Sequence, residues 1–323
     1  MSAPGWTPAD LPDLSGHTAL VTGANSGLGL HTSLELARAG AHVVMTARDP
    51  IRGDEALGQV RVRAGDRAGA RRPSVELYAL DLADLGSVRA AAARLLAEHG
   101  RLDVLVNNAG VMAVPRHLTA DGFEAQLGTN HLGHFALTGL LLPALLRGGV
   151  LGGPARVVTV SSLMHRFGRL HRDDLMSERR YRPWAVYGQS KLANLLFALE
   201  LQRRADAAGA ALASLAVHPG YAATNLSHVG PAMAGRARRE RLIPRIEPLI
   251  AQPADRGAWS SLRAAGDPAA RGGEFYGPGG FAGTRGCPRL ETPARHARDT
   301  ADAAWLWERS EELTGVDVAL SAA

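Results

Sequence analysis

The stretch Ala19-Leu20-Val21-Thr22-Gly23-Ala24-Asn25-Ser26-Gly27-Leu28-Gly29 decides the fold, because it joins a strand-like apolar run to a helix-like run through three glycines. The residues from Leu30 to Ala37 continue the pattern of a helix. Glycines at this point permit a tight turn, close approach of a pyrophosphate to the helix N-terminus, and close packing of helix on strand. The stretch therefore predicts a nucleotide-binding turn, with an ordinary strand-to-helix turn as the alternative.

The sequence around this turn repeats the same alternation. From Thr18 to Val160, short apolar or β-branched runs alternate with Ala/Leu-rich stretches, which indicates a parallel sheet covered on both faces. We predict the α/β class, with a Rossmann-type doubly wound parallel sheet, helices on both faces, and one domain over residues 1–323. The predicted strands are Thr18–Thr22, His42–Ala47, Ser74–Ala79, Val104–Asn107, Arg156–Ser161, Leu212–His218 and Glu274–Tyr276. The predicted helices begin near Gly27, Ile51, Leu85, Gly122 and Trp184.

Composition excludes several other classes of protein. The 46% hydrophobic and 21% charged residues are ordinary for a globular chain of 323 residues. The single cysteine, Cys287, cannot form an internal disulfide, and the N-terminus has no signal-peptide pattern. The longest apolar stretch, Phe135 to Leu146, is shorter than the ~20 residues that span a bilayer. We expect a cytoplasmic protein without a membrane span.

The chain is basic, with a net charge of +5 and a pI near 9.9. Such a balance permits a nucleic-acid partner. However, the densest basic stretch, Arg236 to Arg245, lacks interleaved aromatic residues that would stack on bases. Lys191 is the only lysine among 36 basic residues, so the excess charge is arginine spread along the chain. We therefore expect no nucleic-acid partner.

A tyrosine and this lysine form the candidate catalytic pair. Tyr187-Gly188-Gln189-Ser190-Lys191 opens a predicted helix, and a spacing of four residues places Tyr187 and Lys191 on one helical face. A tyrosine acts as an acid or base near pH 7 only if its pKa falls from about 10, and a nearby ammonium favours the charged phenolate. An exposed helical pair is the alternative. The retention of one lysine in an arginine-rich chain favours a chemical role, because a compact ammonium suits several simultaneous hydrogen bonds.

The spacing Thr22-Gly-x-x-x-Gly-x-Gly resembles the short-chain dehydrogenase/reductase family, which binds a nicotinamide dinucleotide at this turn. The second predicted strand then ends in Met45-Thr46-Ala47-Arg48, where an acid would hold the ribose 2′-hydroxyl of NAD. An arginine there can pair with the 2′-phosphate of NADP, so we expect NADP (NADPH/NADP+) as cofactor. The alternatives are that Arg48 is an ordinary surface residue, or that Asp49 takes the acid's role one place later.

The resemblance also implies roles for residues after other strands. The catalytic set would be Asn130, Ser162, Tyr187 and Lys191, with Ser161 as the alternative to Ser162. In the family, the asparagine holds a water that links to the lysine, the serine binds the substrate oxygen, and a threonine such as Thr224 binds the carboxamide. The implied cofactor-binding residues are Thr22, Gly23, Asn25, Ser26, Gly27, Leu28, Gly29, Arg48, Asp81, Leu82, Asn108, Ala109, Gly110, Tyr187, Lys191, Pro219, Gly220 and Thr224.

Within the family, the segments Asp121 to Phe135, Ser190 to Asn194 and Phe275 to Pro278 resemble the retinol-dehydrogenase-like and WW-domain-oxidoreductase-like branch. The sequence differs from those relatives in having neither an N-terminal membrane helix nor WW modules. The resemblance implies hydride transfer to or from a carbonyl or alcohol carbon, and the Leu, Ile, Met and Pro content of the segment from Asn225 to Ile250 suggests an apolar alcohol, aldehyde or ketone. The alternatives are reduction of a C=C bond, as in an enone, and a non-catalytic NADP-sensing regulatory protein. The resemblance also implies a homo-oligomer, either a homodimer or a homotetramer.

The substrate and metal expectations come from the remaining residues. We expect residues 225–288 to form a substrate-binding lid. The residues that select the substrate are expected to be Met112, Met164, His165, Phe167 and the segment from Asn225 to Ile250. No metal is expected, because the twelve histidines form no tight ligand cluster in the sequence, and His131 and His134 more plausibly pack or cap a helix.

Overall fold

The computed structural model of the protein describes residues 5–65, 73–221 and 252–320. These residues form one sheet of eight strands in the order β3-β2-β1-β4-β5-β6-β7-β8. The strands are β1 (Thr18–Val21), β2 (His42–Ala47), β3 (Val75–Ala79), β4 (Val104–Asn107), β5 (Ala155–Val160), β6 (Leu212–Val217), β7 (Phe275–Pro278) and β8 (Pro288–Leu290). The helices are α1 (Gly27–Arg38), α2 (Pro50–Gly65), α3 (Leu85–Glu98), α4 (Ala125–Leu127), α5 (Gly133–Leu145), α6 (Pro183–Ala208), α7 (Ala254–Gly257), α8 (Trp259–Gly266) and α9 (Thr300–Thr314).

The strand order defines where a ligand can bind. Strands β1 to β7 are parallel, and β1 lies between β2 and β4. The chain moves outward from β1 to β2 and β3, then returns to the other side of β1 as β4. In doubly wound sheets this reversal opens a crevice at the carboxyl ends of the strands, where dinucleotides bind. The predicted fold class is therefore confirmed.

Two hydrophobic layers hold the sheet. On one face, α1, α2 and α8 pack through buried residues such as Leu34, Val60 and Leu262. On the other face, α3, α5, α6 and α9 pack through residues such as Leu95 and Trp307. The central strands β4, β5 and β6 are buried along their whole length. This burial explains why their sequences are continuous apolar runs rather than alternating patterns.

Most of the predicted strands agree with the structure to within one residue, and the structure differs from the predictions at three places. Strand β7 is Phe275–Pro278 rather than Glu274–Tyr276, and β8 was not predicted. Strand β8 runs antiparallel to β7 and has only three residues, two of them exposed, so its sequence has no strand periodicity. The helix predicted near Gly122 does not begin there, because Gly122 has a left-handed φ of 82°.

The chain from Ala125 to Leu145 contains three helical pieces instead of one. The carboxylate of Glu124 accepts hydrogen bonds from the backbone N–H groups of Gln126 and Leu127 and so caps α4. A π-helical turn, Gly128–Leu132, then leads into α5. Such π turns occur often at functional sites, and this one contains Asn130. None of the helices in the described part of the chain is long and apolar enough to cross a membrane.

Candidate active site

The glycine turn between β1 and α1 forms the first part of the site. A Cβ atom added at Gly29 would collide with the carbonyl oxygen of Gly23 and lie 2.6 Å from Nδ2 of Asn108. Gly23 has a φ of 63°, which favours glycine. The side chain of Ser26, the N-cap residue of α1, makes no capping hydrogen bond. Backbone N–H groups at the start of α1 are thus available to an anion, and this cradle fits the pyrophosphate of a dinucleotide.

Thr22 braces this turn from inside the protein. Its hydroxyl oxygen accepts hydrogen bonds from the backbone N–H groups of Asn108 (2.9 Å) and Ala109 (3.0 Å). Asn108 Nδ2 in turn donates to the carbonyl oxygen of Thr22 at 2.7 Å. The side chain of Thr22 is fully buried. The expectation that Thr22 contacts the cofactor is therefore wrong as far as the side chain is concerned. Thr22 and Asn108 instead fix the β4 loop against the glycine turn.

His134 extends this brace to the next element, and the sequence assigned it no role at the site. Its Nε2 lies 2.8 Å from the hydroxyl of Thr22, and its Nδ1 lies 2.9 Å from the carbonyl oxygen of Asn130. Because a carbonyl can only accept, Nδ1 carries the proton. Burial lowers the pKa of His134 to about 4, so the ring is neutral and its Nε2 accepts from Thr22. The spacing of four residues from Asn130 was the only sequence signal for this link.

Asn130 lies at the junction of the β4 loop and α6. Its Oδ1 accepts from the backbone N–H of Val111 at 2.7 Å, and its Nδ2 donates to the carbonyl of Val111 and the hydroxyl of Ser190, both at 2.9 Å. Ser190 donates to the carbonyl oxygen of Tyr187 at 2.8 Å. These contacts make Asn130 a positioning residue. The water-holding role that the resemblance implies stays a prediction.

The end of β2 separates the two cofactor alternatives. Oδ1 of Asp49 accepts from the backbone N–H groups of Ile51 (3.0 Å) and Arg52 (3.3 Å), so this carboxylate caps α2. Arg48 is exposed, and its guanidinium makes no ion pair with any residue that the structure describes. The carboxylate of Asp49 is thus engaged by the helix, whereas the guanidinium of Arg48 is available for a ligand at the end of β2.

Asp81 and Leu82 follow β3. Oδ1 of Asp81 accepts from the backbone N–H of Ala83 at 2.9 Å, which forms a tight turn. The N-cap of α3 is Asp84, whose carboxylate accepts from two backbone N–H groups. The alternative that Asp81 caps the helix is therefore wrong. Leu82 is buried, with its backbone against Gly133 of the segment that follows Asn130.

Tyr187 and Lys191 lie one turn apart on α6, and both are buried, with 6% and 4% of their surface exposed. Nζ of Lys191 lies 5.9 Å from the centre of the Tyr187 ring and donates to the carbonyl oxygen of Val160 at 3.1 Å. The hydroxyl of Ser162 forms a hydrogen bond with the hydroxyl of Tyr187. The predicted tyrosine, lysine and serine therefore meet at the carboxyl end of β5.

The electrostatics of this pair differ from the sequence-based expectation. Burial raises the pKa of Tyr187 to about 12, and the hydrogen bond from Ser162 acts in the opposite direction. Burial lowers the pKa of Lys191 to about 8. Among the protein's own groups, desolvation of the phenolate outweighs the hydrogen bond from Ser162, so the pKa of Tyr187 is raised, and its lowering by Lys191 stays a prediction. At neutral pH the site contains a neutral phenol and an ammonium group.

The two serines after β5 have different environments. Ser161 is buried, and its hydroxyl donates to the carbonyl oxygen of Lys191 at 2.7 Å. Ser162 is half-buried and accepts from the backbone N–H of Met164 at 3.2 Å. Because the hydroxyl proton of Ser161 is committed to α6, only Ser162 presents a hydroxyl beside Tyr187.

The turn after β6 completes the site within the described residues. Gly220 has a φ of 69°, and a Cβ atom there would collide with the carbonyl oxygen of Thr284. Nε2 of Gln252 donates to the carbonyl oxygen of Pro219 at 2.6 Å. The described part of the expected lid, residues 252–288, thus contacts the Pro219–Gly220 turn. Thr224 and the segment from Asn225 to Ile250 lie outside the described residues.

The residues expected to select the substrate are not equivalent. Met112 and Met164 are half-buried, and 77% of the surface of Phe167 is exposed. His165 is buried, with its Nδ1 2.6 Å from the carbonyl oxygen of Ser162 and its ring edge-on to Phe275. The expectation that His165 faces a substrate is wrong, because its ring points into the protein.

The expectation that the histidines form no tight cluster is also wrong. His42 and His99 both approach Glu76, at the end of the sheet opposite to Tyr187. His131 and His134 have separate partners, since His131 Nε2 lies 2.8 Å from the hydroxyl of Ser310. Their predicted packing role therefore agrees with the structure.

Comparisons with known proteins support the family suggested by this geometry. A family profile described as short chain dehydrogenase matches residues 17–233. Mouse retinol dehydrogenase 14 is 40% identical over 310 residues, which cover 94% of this chain and 87% of that protein.

Two solved structures are also similar to the chain. An uncharacterised protein from Mycobacterium paratuberculosis is 44% identical, with a TM-score of 0.78 and coverage of 98% of this chain and 100% of the other. A protein from Beutenbergia cavernae, described as an NAD(P)-dependent gluconate 5-dehydrogenase with bound NADP at low occupancy, is 28% identical, with a TM-score of 0.56 and coverage of 80% and 92%. With the glycine turn and the Ser162, Tyr187 and Lys191 arrangement, these matches show that the chain belongs to the short-chain dehydrogenase/reductase family, with retinol dehydrogenases among its relatives.

Proposed function

We propose that the protein is an NADP-dependent oxidoreductase that transfers a hydride between the nicotinamide and the carbonyl or alcohol carbon of an apolar small molecule. The observation that carries this proposal is the meeting of Tyr187, Ser162 and Lys191 beside the glycine turn. The proposed cofactor contacts are the Gly23 to Gly29 turn, Arg48, Asp81, Leu82, the Asn108 to Gly110 loop, Lys191, the Pro219–Gly220 turn and Thr224.

NADPH or NADP+, when bound, supplies or accepts the hydride. In the direction of reduction, Tyr187 donates its hydroxyl proton to the substrate oxygen, and Ser162 donates a hydrogen bond to the same oxygen. The ammonium of Lys191 hydrogen-bonds the ribose hydroxyls and stabilises the phenolate that the proton transfer leaves behind. Burial raises the pKa of Tyr187 to about 12, so the phenol is protonated at neutral pH, and it needs the ammonium of Lys191 to stabilise the phenolate as the proton leaves.

An apolar substrate is supported by two observations. The side chains available near Ser162 are Met164 and the exposed Phe167, and the retinol dehydrogenase relative is named for an apolar alcohol. We further propose that residues 1–323 form one catalytic domain in which residues 225–288 make the substrate lid. The contacts of Gln252 and Thr284 with the Pro219–Gly220 turn support that placement.

The experiment that tests the function is a panel of aldehydes of increasing alkyl length, the matching alcohols, retinal and an enone, each with NADPH and NADH. We expect the aldehydes to be reduced, with a catalytic efficiency that rises by up to about fourfold per added methylene, as burial of each CH₂ predicts. Cofactor oxidation and product analysis measure the reaction. Reduction of only the C=C bond of the enone would contradict carbonyl chemistry, and no turnover in either direction would favour a cofactor sensor.

Replacing Arg48 with alanine should weaken the preference for NADPH. A charge-assisted contact with the 2′-phosphate is worth about 1.5–3 kcal/mol, so the KM for NADPH should rise about tenfold to a hundredfold. The KM for NADH should change little. Arg52→Ala is the matched control, since Arg52 is also exposed but lies beyond the end of β2, in the first turn of α2. A wild-type enzyme that prefers NADH would overturn the role of Arg48.

Replacing His134 with phenylalanine tests the brace between Thr22 and Asn130. The change keeps a ring but removes both hydrogen bonds, so the glycine turn and the π turn lose their fixed separation. We expect the catalytic efficiency with NADPH to fall about tenfold to a hundredfold, mainly through a higher KM for the cofactor. Steady-state kinetics with varied NADPH measure this split between KM and kcat.

The matched control is His131→Phe, because His131 is as buried as His134. This change removes one hydrogen bond, to Ser310 of α9, which lies far from the glycine turn in sequence. Both variants should lower the melting temperature, since each removes hydrogen bonds of a buried ring. Only His134→Phe should alter the cofactor KM. If the two changes alter the cofactor KM equally, His134 has only a packing role and the proposed brace is contradicted.

A further inference from the structure

Three potential metal ligands meet at the amino end of the sheet, away from the site of Tyr187. His42 is the first residue of β2, Glu76 lies on the edge strand β3, and His99 follows α3 as its C-cap. His42 Nε2 donates to Oε1 of Glu76 at 2.9 Å, and Nε2 of His99 lies 2.7 Å from the same oxygen. One ligand atom from each residue lies within 4.8 Å of the others.

We propose that His42, Glu76 and His99 bind a divalent transition-metal cation of the zinc type. Imidazole nitrogen and carboxylate oxygen are ligands that zinc prefers, and two histidines with one glutamate form a known three-ligand set that leaves a fourth position for water. Hard cations such as Mg²⁺ prefer oxygen ligands, so this set disfavours them. The side chains are 18–27% exposed, which gives a cation a path from solvent.

The surroundings of the cluster support metal binding in a second way. Nδ1 of His42 lies 2.7 Å from the hydroxyl of Ser74. With Nε2 on the metal, Nδ1 carries the proton and donates it to Ser74, which is the outer contact that orients most metal-binding histidines. The hydroxyl of Tyr78 lies 3.2 Å from Nε2 of His99 and donates to Glu98 at 2.6 Å. Glu98 is itself paired with Arg94 at 2.9 Å, so the negative charge at the site comes from Glu76.

The two histidine–glutamate separations need only a small change to accept the ion. Ligand atoms at about 2.0–2.2 Å from a tetrahedral zinc are roughly 3.3 Å apart. The two nitrogen–oxygen separations here, 2.9 Å and 2.7 Å, therefore need to open by about half an ångström. Rotations of the three side chains can supply this change, because none of them is fully buried.

The position predicts a stabilising role, separate from catalysis. The ion would add metal bonds between β2, β3 and the end of α3 to the hydrogen bonds that already join them. His42 lies five residues before Ala47 at the cofactor end of β2, a distance of roughly 16 Å along a strand. Binding should therefore raise the melting temperature without changing the rate of hydride transfer.

The test uses the full chain without a histidine tag, stripped of metal and titrated calorimetrically with ZnCl₂ alone. We expect one Zn²⁺ per chain, and Co²⁺ in its place should give the visible absorption of a tetrahedral site. His42→Ala, His99→Ala and Glu76→Gln should each weaken Zn²⁺ binding at least about tenfold, and Ser74→Ala about tenfold through the outer contact. His117→Ala is the control, because His117 is an exposed histidine outside the cluster and should leave binding unchanged.

Two results would overturn the proposal. One is wild-type protein that takes up no stoichiometric Zn²⁺, and the other is a folded His42→Ala/His99→Ala double variant, checked by circular dichroism, that binds Zn²⁺ as tightly as wild type. Because glutamate and histidine also hold each other by hydrogen bonds, Glu76→Gln distinguishes the two roles. This variant keeps a hydrogen-bond acceptor for the histidines but removes the anionic ligand. If the cluster is purely structural, the variant should keep the wild-type melting temperature, and neither protein should respond to Zn²⁺.

Discussion

We expect that replacing Tyr187 with phenylalanine lowers the rate of carbonyl reduction by at least about a thousandfold. The variant keeps the ring, whose centre lies 6.2 Å from that of Trp184, but loses the proposed proton donor beside Ser162. Cofactor affinity should stay within about twofold of wild type, since the glycine turn and Lys191 are untouched. Single-turnover measurements of hydride transfer, with separate binding of NADPH by fluorescence, give the two quantities.

Tyr181→Phe is the matched control for this change. Tyr181 also carries a partly buried hydroxyl, which donates to the carbonyl oxygen of Val114 at 2.8 Å, and burial raises its pKa as it does that of Tyr187. Its loss removes a phenol without removing the proposed proton donor, so turnover should change only a few-fold. Comparable losses of turnover in the two variants would contradict the proposed mechanism, and so would near-normal hydride transfer by Tyr187→Phe.

Replacement of Lys191 by methionine should have the second largest effect, a loss of catalytic efficiency of at least about a hundredfold. The loss should appear in both kcat and the cofactor KM, because the ammonium is proposed to stabilise the phenolate and to bind ribose. Lys191→Arg should recover little. Nζ lies close to Gly110, whose added Cβ would be 3.4 Å away, so the space suits a compact ammonium better than a planar guanidinium.

Stability separates a catalytic lysine from a structural one. The side chain of Lys191 is buried, its Nζ donates to Val160, and burial lowers its pKa to about 8, so the charged form is costly in the folded state. Methionine of similar length should leave the melting temperature equal or higher, while activity is lost. Thermal unfolding beside steady-state kinetics measures both. A Lys191→Arg variant with more than a tenth of wild-type efficiency would contradict the requirement for an ammonium.

Much of the fold follows from local sequence. Runs such as Val104–Asn107 and Leu212–Val217 are apolar because parallel strands in a covered sheet are buried on both faces, and their bounds could be predicted closely. The antiparallel strand β8 could not, since three residues with two exposed side chains have no periodicity of their own. Gly122 misled the helix prediction because a left-handed residue precedes the capping Glu124.

The candidate site divides in the same way. The glycine turn and the spacing of Tyr187 and Lys191 are local patterns, and a single lysine among arginines marks a position where the two cations are not interchangeable. The proposal of Ser162 rather than Ser161 depends on the hydroxyl that α6 engages. The proposal of Arg48 rather than Asp49 depends on the capping of α2 by Asp49.

The sequence by itself thus determined the doubly wound sheet, the nucleotide turn and the tyrosine–lysine pair, because each is encoded within a few consecutive residues. The tertiary structure alone decided the hydrogen-bond partners that give these residues their charge states and positions. Thr22 and His134, 112 residues apart, share a hydrogen bond, and His42 meets Glu76 34 residues later. Burial, which sets the pKa of Tyr187 and Lys191, also comes from elements distant in sequence. Periodicity and spacing cannot encode such contacts, since they depend on how strands and helices pack.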